Sequence, residues 1–433
     1  MALRLLEEDK TEISLPASES PFSWYIVSDV FESLAKLPDN SVDFIATSPP
    51  FLALRSYLPT DHPDKSKEIG SEPTPAAFID VLMDLTEEWA RVLAPYGSIA
   101  VELGDTYSGS GGSGGDYNKG GWREDLAAHT AQTTNGNGNP VVNSEKDRWA
   151  KSDKRPGWPL AKSLAMIPEL YRIALSYGVN PLNPSHTMEP WRVRNVVRWH
   201  RPNPAVGALG DKFRPSTSEM VIATKSKTRW FDLDAVRVPS KDPQEALRPR
   251  HTRSTEGREG LWDKGEGRFG INLNGAPPLD TWIIPTEPYK GSHYATFPRR
   301  LVETPVKSMC PKEVCNVCGE PRRRILERER ESCPNSSGGK GRNGRQVADL
   351  DYSGRTVGWT DCGHGDFRPG IVLDPFAGSG TTLEVAAGLG RSGIGIDIDE
   401  RNFNLAQGRE LLGMFLEKVE VQKWGHNEVL SCS

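Results

Sequence analysis

No stretch of the 433-residue chain approaches the roughly 18 uninterrupted apolar positions that a membrane-crossing helix needs. Cysteine is scarce, with six in the whole sequence, too few for a disulfide scaffold at this length. A reducing interior is then the default setting, and paired cysteines point to metal before disulfide. The opening MALRLLEEDKTE turns acidic too early for a signal peptide, so a cytoplasmic location is expected. Excess positive charge is missing too. The 53 Lys and Arg face 58 Asp and Glu, a net charge of −5, which excludes a chain that is basic all over. Glycine (42) and proline (34) are plentiful instead, so long loops are expected around one or two domains.

Along the chain, WYIVSD and SVDFIATS read as strands on either side of a short helix in VFESLAKLPDN. TPAAFIDVLMDLTEEWARVLAPYG follows as an amphipathic helix. Phe78, Val81, Leu82, Leu85, Trp89, Val92 and Leu93 keep helical spacing, with Pro95 and Gly97 expected to end it. SIAVELGD is the next strand, and the β-α-β-α-β order is an α/β pattern. Residues 106–157, rich in Gly, Ser and Asn, read as a mobile insertion. Residues 159–178 read as a helix, WRVRNVVRWH, EMVIATKS and TWIIPT as strands, and 239–278 as polar loop. The stretch 370–430 completes a β-α-β-α unit, with GIVLD and SGIGIDID as strands and a long last helix from about Asn402.

Two turns gather residues suited to chemistry. In TSPPF (47–51), Pro49 and Pro50 must stop the strand at Ser48, because proline fixes φ and donates no backbone hydrogen bond. A short hydroxyl, two rigid residues and Phe51 then stand at a strand's carboxyl end, where open α/β sheets bind ligands. In VLDPFAGSGTT (372–382), Gly378 and Gly380 let the backbone pass close to a ligand. The helix start at Thr381 and Thr382 suits a carboxylate or phosphate, and Asp397 at the end of the next strand suits ribose hydroxyls. A P-loop would need lysine where Gly380 stands, and a dinucleotide fingerprint would need a third glycine. S-adenosylmethionine, with a carboxylate and a ribose, matches both ends; an ordinary tight turn is the plain alternative.

Local charge departs from the net balance. From Trp191 to Trp230 stand nine cations, Arg192, Arg194, Arg198, Arg201, Lys212, Arg214, Lys225, Lys227 and Arg229, opposed only by Asp211 and Glu219. Trp191, Trp199, Phe213 and Trp230 are interleaved. The stretch suits a polyanion, or is a solvated basic face backed by core aromatics.

Taken together, TSPPF and DPFAGSGTT resemble the amino-methylating DNA methyltransferases, which act on exocyclic nitrogens of cytosine or adenine. LPDNSVDFIATSPPF resembles the family's run into its catalytic loop, GSHYATFPRRLVE (291–303) its second cofactor motif, and GIDIDERNFNLAQGR the strand and helix beyond the glycine turn. VELGDTYSGSGG, RWHRPNP and STSEMVIATKS also resemble family segments. The catalytic loop precedes the glycine turn, the order of the β group. The resemblance therefore implies a Rossmann-like, S-adenosylmethionine-dependent α/β fold, circularly permuted, with inserted target-recognition and zinc-knuckle-like segments.

On that resemblance the chain divides into a catalytic half (1–105), a flexible insertion (106–157) and the rest of the catalytic half with a DNA-facing surface (158–234). Then come a target-recognition region (235–280), a cofactor motif (281–307), a Cys-rich zinc-binding insertion (308–369) and the cofactor-binding half (370–433). Ser48, Pro49, Pro50 and Phe51 are the expected catalytic residues. Asp29, Thr47, His293, Phe297, Pro298, Asp374, Phe376, Ala377, Gly378, Ser379, Gly380, Thr381, Thr382 and Asp397 are the expected cofactor-binding set. Arg192, Arg194, Arg198, Arg201, Lys212 and Arg214 are expected on double-stranded DNA, with a cognate restriction nuclease encoded elsewhere as a further partner.

An exocyclic amino nitrogen is a poor nucleophile, because its lone pair is delocalised into the ring. The residues must hold it in line with a methyl donor and accept its hydrogen bonds. Ser48 Oγ and the Pro49 carbonyl are the two acceptors, and Phe51 can stack on a base swung out of the duplex. A C5-cytosine enzyme would need a nucleophilic cysteine beside proline in its own motif; Cys310 and Cys333 both lie in the variable segment. In this family S-P-P with an aromatic goes more often with N4-cytosine, and D-P-P-Y or N-P-P-Y with N6-adenine. The expected reaction is N4-cytosine methylation, against N6-adenine methylation or a non-catalytic nucleic-acid-binding module.

CPKEVCNVCGEP and TDCGHG supply Cys315, Cys318, Cys362 and His364, a set that can close a tetrahedral zinc site or remain free thiols. Cys310 and Cys333 could substitute. Arg322, Arg323 and Arg324 follow the first pair and are expected near phosphates.

Overall fold

The structure is a computed structural model that describes residues 13–54, 57–108, 155–204, 212–239, 274–287, 297–329, 352–409 and 416–419, less positions 18 and 60. His293, Cys333, Cys432 and most of the 106–157 and 235–280 segments lie outside the described residues.

The chain opens with β1 (Ser23–Val27), α1 (Val30–Lys36), β2 (Val42–Thr47), α2 (Pro75–Val92) and β3 (Leu93–Leu103). All six residues of β2 are buried, as expected of a strand covered on both faces. In α2 the Thr74 hydroxyl accepts from Ala77 N and Pro75 stands in the first turn, so the start is capped. Its end differs from the sequence expectation. Pro95 and Gly97 do not stop the helix; the chain leaves it at Val92 and both residues belong to β3. A Cβ on Gly97 would lie 2.5 Å from the Leu93 side chain, so glycine is what lets the strand follow the helix so abruptly.

Next come α3 (Ile167–Tyr177), β4 (Val179–Asn180), β5 (Asn183–Thr187), β6 (Arg192–His200), β7 (Thr217–Thr224) and β8 (Thr281–Ile283). α3 is shorter than the expected 159–178 helix. Met166 is left-handed, Pro168 opens the first turn, and Asp105 accepts from Met166 N and Ile167 N at 3.0 and 3.2 Å. The last elements are α4 (Arg299–Met309), β9 (Glu313–Cys315), β10 (Arg324–Glu329), β11 (Tyr352–Trp359), β12 (Phe367–Pro369), β13 (Ile371–Asp374), α5 (Thr381–Gly388), β14 (Ser392–Asp397), α6 (Glu400–Gln407) and β15 (Leu416–Val419). α6 is short, not long, and starts at Glu400 because Asp399 caps it.

Nine strands form one sheet in the order β15-β1-β14-β13-β2-β3-β7-β6-β8. The first six are parallel, β7 runs against them, and β6 and β8 return to the common direction. One face packs on α1, α2 and α3 through residues such as Phe78, Trp89 and Tyr171. The other packs on α4 and α5 through Leu301, Val306 and Ala386. Trp89 and Phe78 are fully buried, each contributing on the order of 2–3 kcal/mol. The parallel strands β1, β2, β3, β13 and β14 all end at one edge, and β2 brings Ser48 to that edge beside the turn after β13.

Candidate active site

The glycine turn follows β13 and is held from three sides. Gly378 and Gly380 have φ of +50° and +77°, a region where a Cβ costs energy. The Tyr25 hydroxyl donates to Gly378 O at 2.6 Å from β1, and Gly378 N donates to Asp397 Oδ2 at 2.8 Å. Arg409 reaches over the turn, donating to Ser379 O, Ser379 Oγ (2.8 Å) and Thr381 Oγ1 (2.7 Å) while paired with Glu384. Neither Tyr25 nor Arg409 stood out in the sequence, since each reaches the turn only through the fold.

Beneath the turn is a second, buried arrangement. Asp374 accepts from the hydroxyls of Thr47 (2.7 Å) and Thr382 (2.6 Å) and from Phe376 N (3.1 Å). Burial pushes its carboxyl up to about 6, against those three donors. Thr47, Asp374 and Thr382 are 4%, 0% and 1% exposed, and their hydrogen bonds brace the joint between β2 and the turn.

Between the turn and the end of β2 lies a cleft of about 830 Å³, open mouth included. Asp29, Ser48, Pro50, Phe297, Asp397 and the turn itself, Phe376 to Ser379 with Thr381, face it. One oxygen of Asp29 also caps α1, accepting from Phe31 N and Glu32 N. Gly380 is the N-cap position of α5, Pro298 is buried at the start of α4, and Pro49 is buried under the loop. Asp397 is half-buried, and burial pushes it up to about 6 although Asp399 N, Asn402 and Gly378 N donate to it.

At the end of β2, the Ser48 hydroxyl donates to Glu102 Oε2 at 2.6 Å. Glu102 ends the apolar run of β3 and is 4% exposed. Burial pushes its carboxyl up, while the Ser48 hydrogen bond and the charge of Arg201 oppose the shift. With its proton turned toward Glu102, Ser48 Oγ keeps its lone pairs for a donor in the cleft. The signal for Glu102 in the sequence was one carboxylate inside SIAVELGD. Phe51 is half-buried and lies against Gly104, where a Cβ would meet the ring at 2.6 Å.

The basic stretch is not one face. β6 rises about 3.3 Å per residue, so Arg192 and Arg201 stand about 30 Å apart. Arg201, Lys212 and Arg214 lie at the cleft edge of the sheet, flanking the ends of β6 and β7, and Phe213 among them is 98% exposed. Arg198 pairs with Glu219 close by. Arg192 and Arg194 sit at the far edge, donating to the carbonyls of Lys225 and Lys227.

Arg322, Arg323 and Arg324 are likewise not a phosphate-facing trio. Arg322 pairs with Glu313 (2.8 Å) and stacks on Phe367, Arg323 donates to Arg229 O, and Arg324 pairs with Asp232 at 2.6 Å. β12 leads into the amino end of β13, so this region sits at the sheet edge opposite the cleft. Cys310 is buried in the core, apart from Cys315, Cys318, Cys362 and His364, which do come together.

The N6/N4 methyltransferase family model, described as DNA methylase, matches residues 42–315 and 367–408. Type II methyltransferase M.SfiI of Streptomyces fimbriatus is 29% identical over 226 residues, 52% of this chain and 41% of that enzyme's length. Type II methyltransferase M.SmaI of Serratia marcescens is 23% identical over 390 residues, 89% of this chain and 90% of that enzyme. The solved PvuII DNA methyltransferase (cytosine-N4-specific) is 13% identical, covering 94% of this chain and 98% of its own, with a TM-score of 0.43.

Proposed function

The chain belongs to the N6/N4 family of DNA methylases, and from that premise we propose that it methylates the exocyclic N4 amino group of cytosine in duplex DNA, using S-adenosylmethionine. The observation that carries the reading is the Ser48–Glu102 hydrogen bond, set at the mouth of the glycine-turn cleft. The cofactor supplies an electrophilic methyl when bound. The residues fit it: the turn offers a glycine backbone and a helix start, and Asp397 and Asp29 offer carboxylates at strand ends.

The chain's own residues do the rest. Ser48 Oγ and the Pro49 carbonyl accept from the amino group and draw its lone pair out of conjugation. Pro49 and Pro50 stiffen the loop, and Phe51, backed against Gly104, stacks on a base swung out of the duplex. Arg198, Arg201, Lys212 and Arg214 contact the DNA backbone near the cleft, which drops Arg192 and Arg194 from the expected set. Ser at position 48, where adenine enzymes of this family more often carry Asp or Asn, supports cytosine. The order of catalytic loop before glycine turn supports a permuted, β-group arrangement. The type II names of its relatives support a role in restriction–modification, with a nuclease encoded elsewhere and the protein acting in the cytoplasm.

Nucleoside mass spectrometry of duplex DNA incubated with the protein and isotope-labelled cofactor tests this. Label in N4-methyl-2′-deoxycytidine is expected. Label in N6-methyl-2′-deoxyadenosine moves the reaction to adenine, and no label on varied duplexes favours a binding module.

Asp397 gives a second test. Its carboxylate is the form that best accepts from two ribose hydroxyls, and its raised value of about 6 sets the window. Cofactor affinity is expected to fall as pH drops through about 6, and Asp397→Asn to bind weakly with a flat profile. A wild-type profile that is flat from pH 5 to about 8 removes Asp397 from the ribose site.

A further inference from the structure

We infer that Cys315, Cys318, Cys362 and His364 hold one Zn²⁺, and that this ion clasps together the two ends of the 308–369 insertion at the sheet edge away from the cleft. The four ligand atoms lie within 4.8 Å of one another. Cys315 Sγ is 3.5 Å from His364 Nδ1, and that nitrogen is 3.3 Å from Cys362 Sγ. A tetrahedral zinc with sulfur at about 2.3 Å and nitrogen at about 2.0 Å sets such edges at about 3.5–3.8 Å, so no large movement is needed.

The backbone is arranged for thiolates. Val317 N donates to Cys315 Sγ at 3.4 Å, and Gly319 N to Cys315 O at 3.0 Å, closing a tight knuckle around the first pair. Gly319, Gly363 and Gly365 have φ of +70°, +81° and +69°, which bends both pairs toward a common point. β9 and β12 place Cys315 opposite Phe367, and Asn316 bonds Asp366 through both its backbone and its side chain. The three cysteines are unbridged. Three sulfurs and one imidazole nitrogen are a soft donor set that selects zinc over magnesium or calcium. Four protein ligands also leave no open position, which is the mark of a structural site.

The insertion has a reason to need such an ion. Val317, Ile325 and Val357 are 64%, 43% and 54% exposed, so the insertion leaves apolar side chains in solvent. Met309 and Cys310 anchor its start in the main core, and further ties are polar: Trp230 Nε1 to Arg322 O at 2.9 Å, Arg324 to Asp232, and Arg368 to Asp43. A metal joining residues on both sides of 319–361 adds a fixed point beside those exposed side chains. The inference stands whichever amino group the enzyme methylates.

Protein purified with thiols and without chelators is treated with a mercurial that releases thiolate-bound metal, and zinc is read with a colorimetric indicator. One zinc per chain is expected for wild type and none for Cys318→Ser or Cys362→Ser. Both variants are expected to unfold at lower temperature while binding labelled cofactor as wild type does. Should they not fold, cobalt exchanged into wild type is expected to show the thiolate charge-transfer and tetrahedral d–d bands of an S₃N site. Wild type that carries no zinc and shows no such bands with cobalt overturns the inference, as does zinc that stays with both variants.

Discussion

Ser48→Ala is expected to slow methyl transfer by about 100-fold or more with cofactor affinity nearly unchanged, because in the proposed reaction it removes an acceptor at the reacting nitrogen. Glu102→Gln should follow it closely. The hydroxyl survives, but the charge that takes its proton does not, so Ser48 can turn its own O–H toward the base and meet a donor with a donor. The two changes act on one hydrogen-bonded unit, and the double variant is expected to be little slower than Ser48→Ala alone. Burial raises the Glu102 carboxyl, so the acid limb of the rate profile should lie above the ordinary carboxylate range and vanish in Glu102→Gln. Single-turnover rates with labelled cofactor, beside calorimetric affinities, are the measurement. A Glu102→Gln enzyme with the wild-type rate would show that Glu102 does not position Ser48.

Asp43→Ala is expected to have the largest effect on stability, about 3–5 kcal/mol. Asp43 is fully buried at the amino end of β2. Its two oxygens take Arg368 (2.6 and 3.3 Å), the Tyr96 hydroxyl (2.5 Å) and Ile371 N (2.7 Å). Truncation leaves a mostly buried guanidinium, a backbone N–H and a phenol without their acceptor, and that desolvation cost sets the size of the effect. Asp43→Asn keeps one acceptor oxygen and should lose less. Urea unfolding measures both, and a loss below about 1 kcal/mol for Asp43→Ala would mean the pair is replaced by water without penalty.

The strands and helices of the central sheet could be read from periodicity, because their burial pattern is local. The misread ends, at Pro95 and before Ile167, depend on the Gly97–Leu93 approach, which periodicity does not register, and on Asp105, 61 residues from Met166. The site was half legible for the same reason. Ser48, Pro50, Gly378 and Asp397 sit in short motifs. Glu102, Tyr25 and Arg409 act across the sheet, 54, 353 and 30 residues from their partners. Asp374 also braces the joint between β2 and the turn, which its motif does not show because Thr47 lies 327 residues away. The basic stretch misled in its turn, because a strand laid flat separates residues that are neighbours in print.

The strand order has a consequence for synthesis. β1 and β2 are neighbours in the sequence, yet β14 and β13 lie between them in the sheet. When β2 has left the ribosome, the strand it must pair with on that side is still more than 300 residues away from being made. Until then β1 lacks both of its neighbours among the described strands, β14 and β15, and one edge of β2 stays open to any other strand. So late a closure makes for slow folding and a long window for misassembly. The nascent protein gains its fold and its cleft together, in its last quarter, and it is there that a chaperone would be needed most.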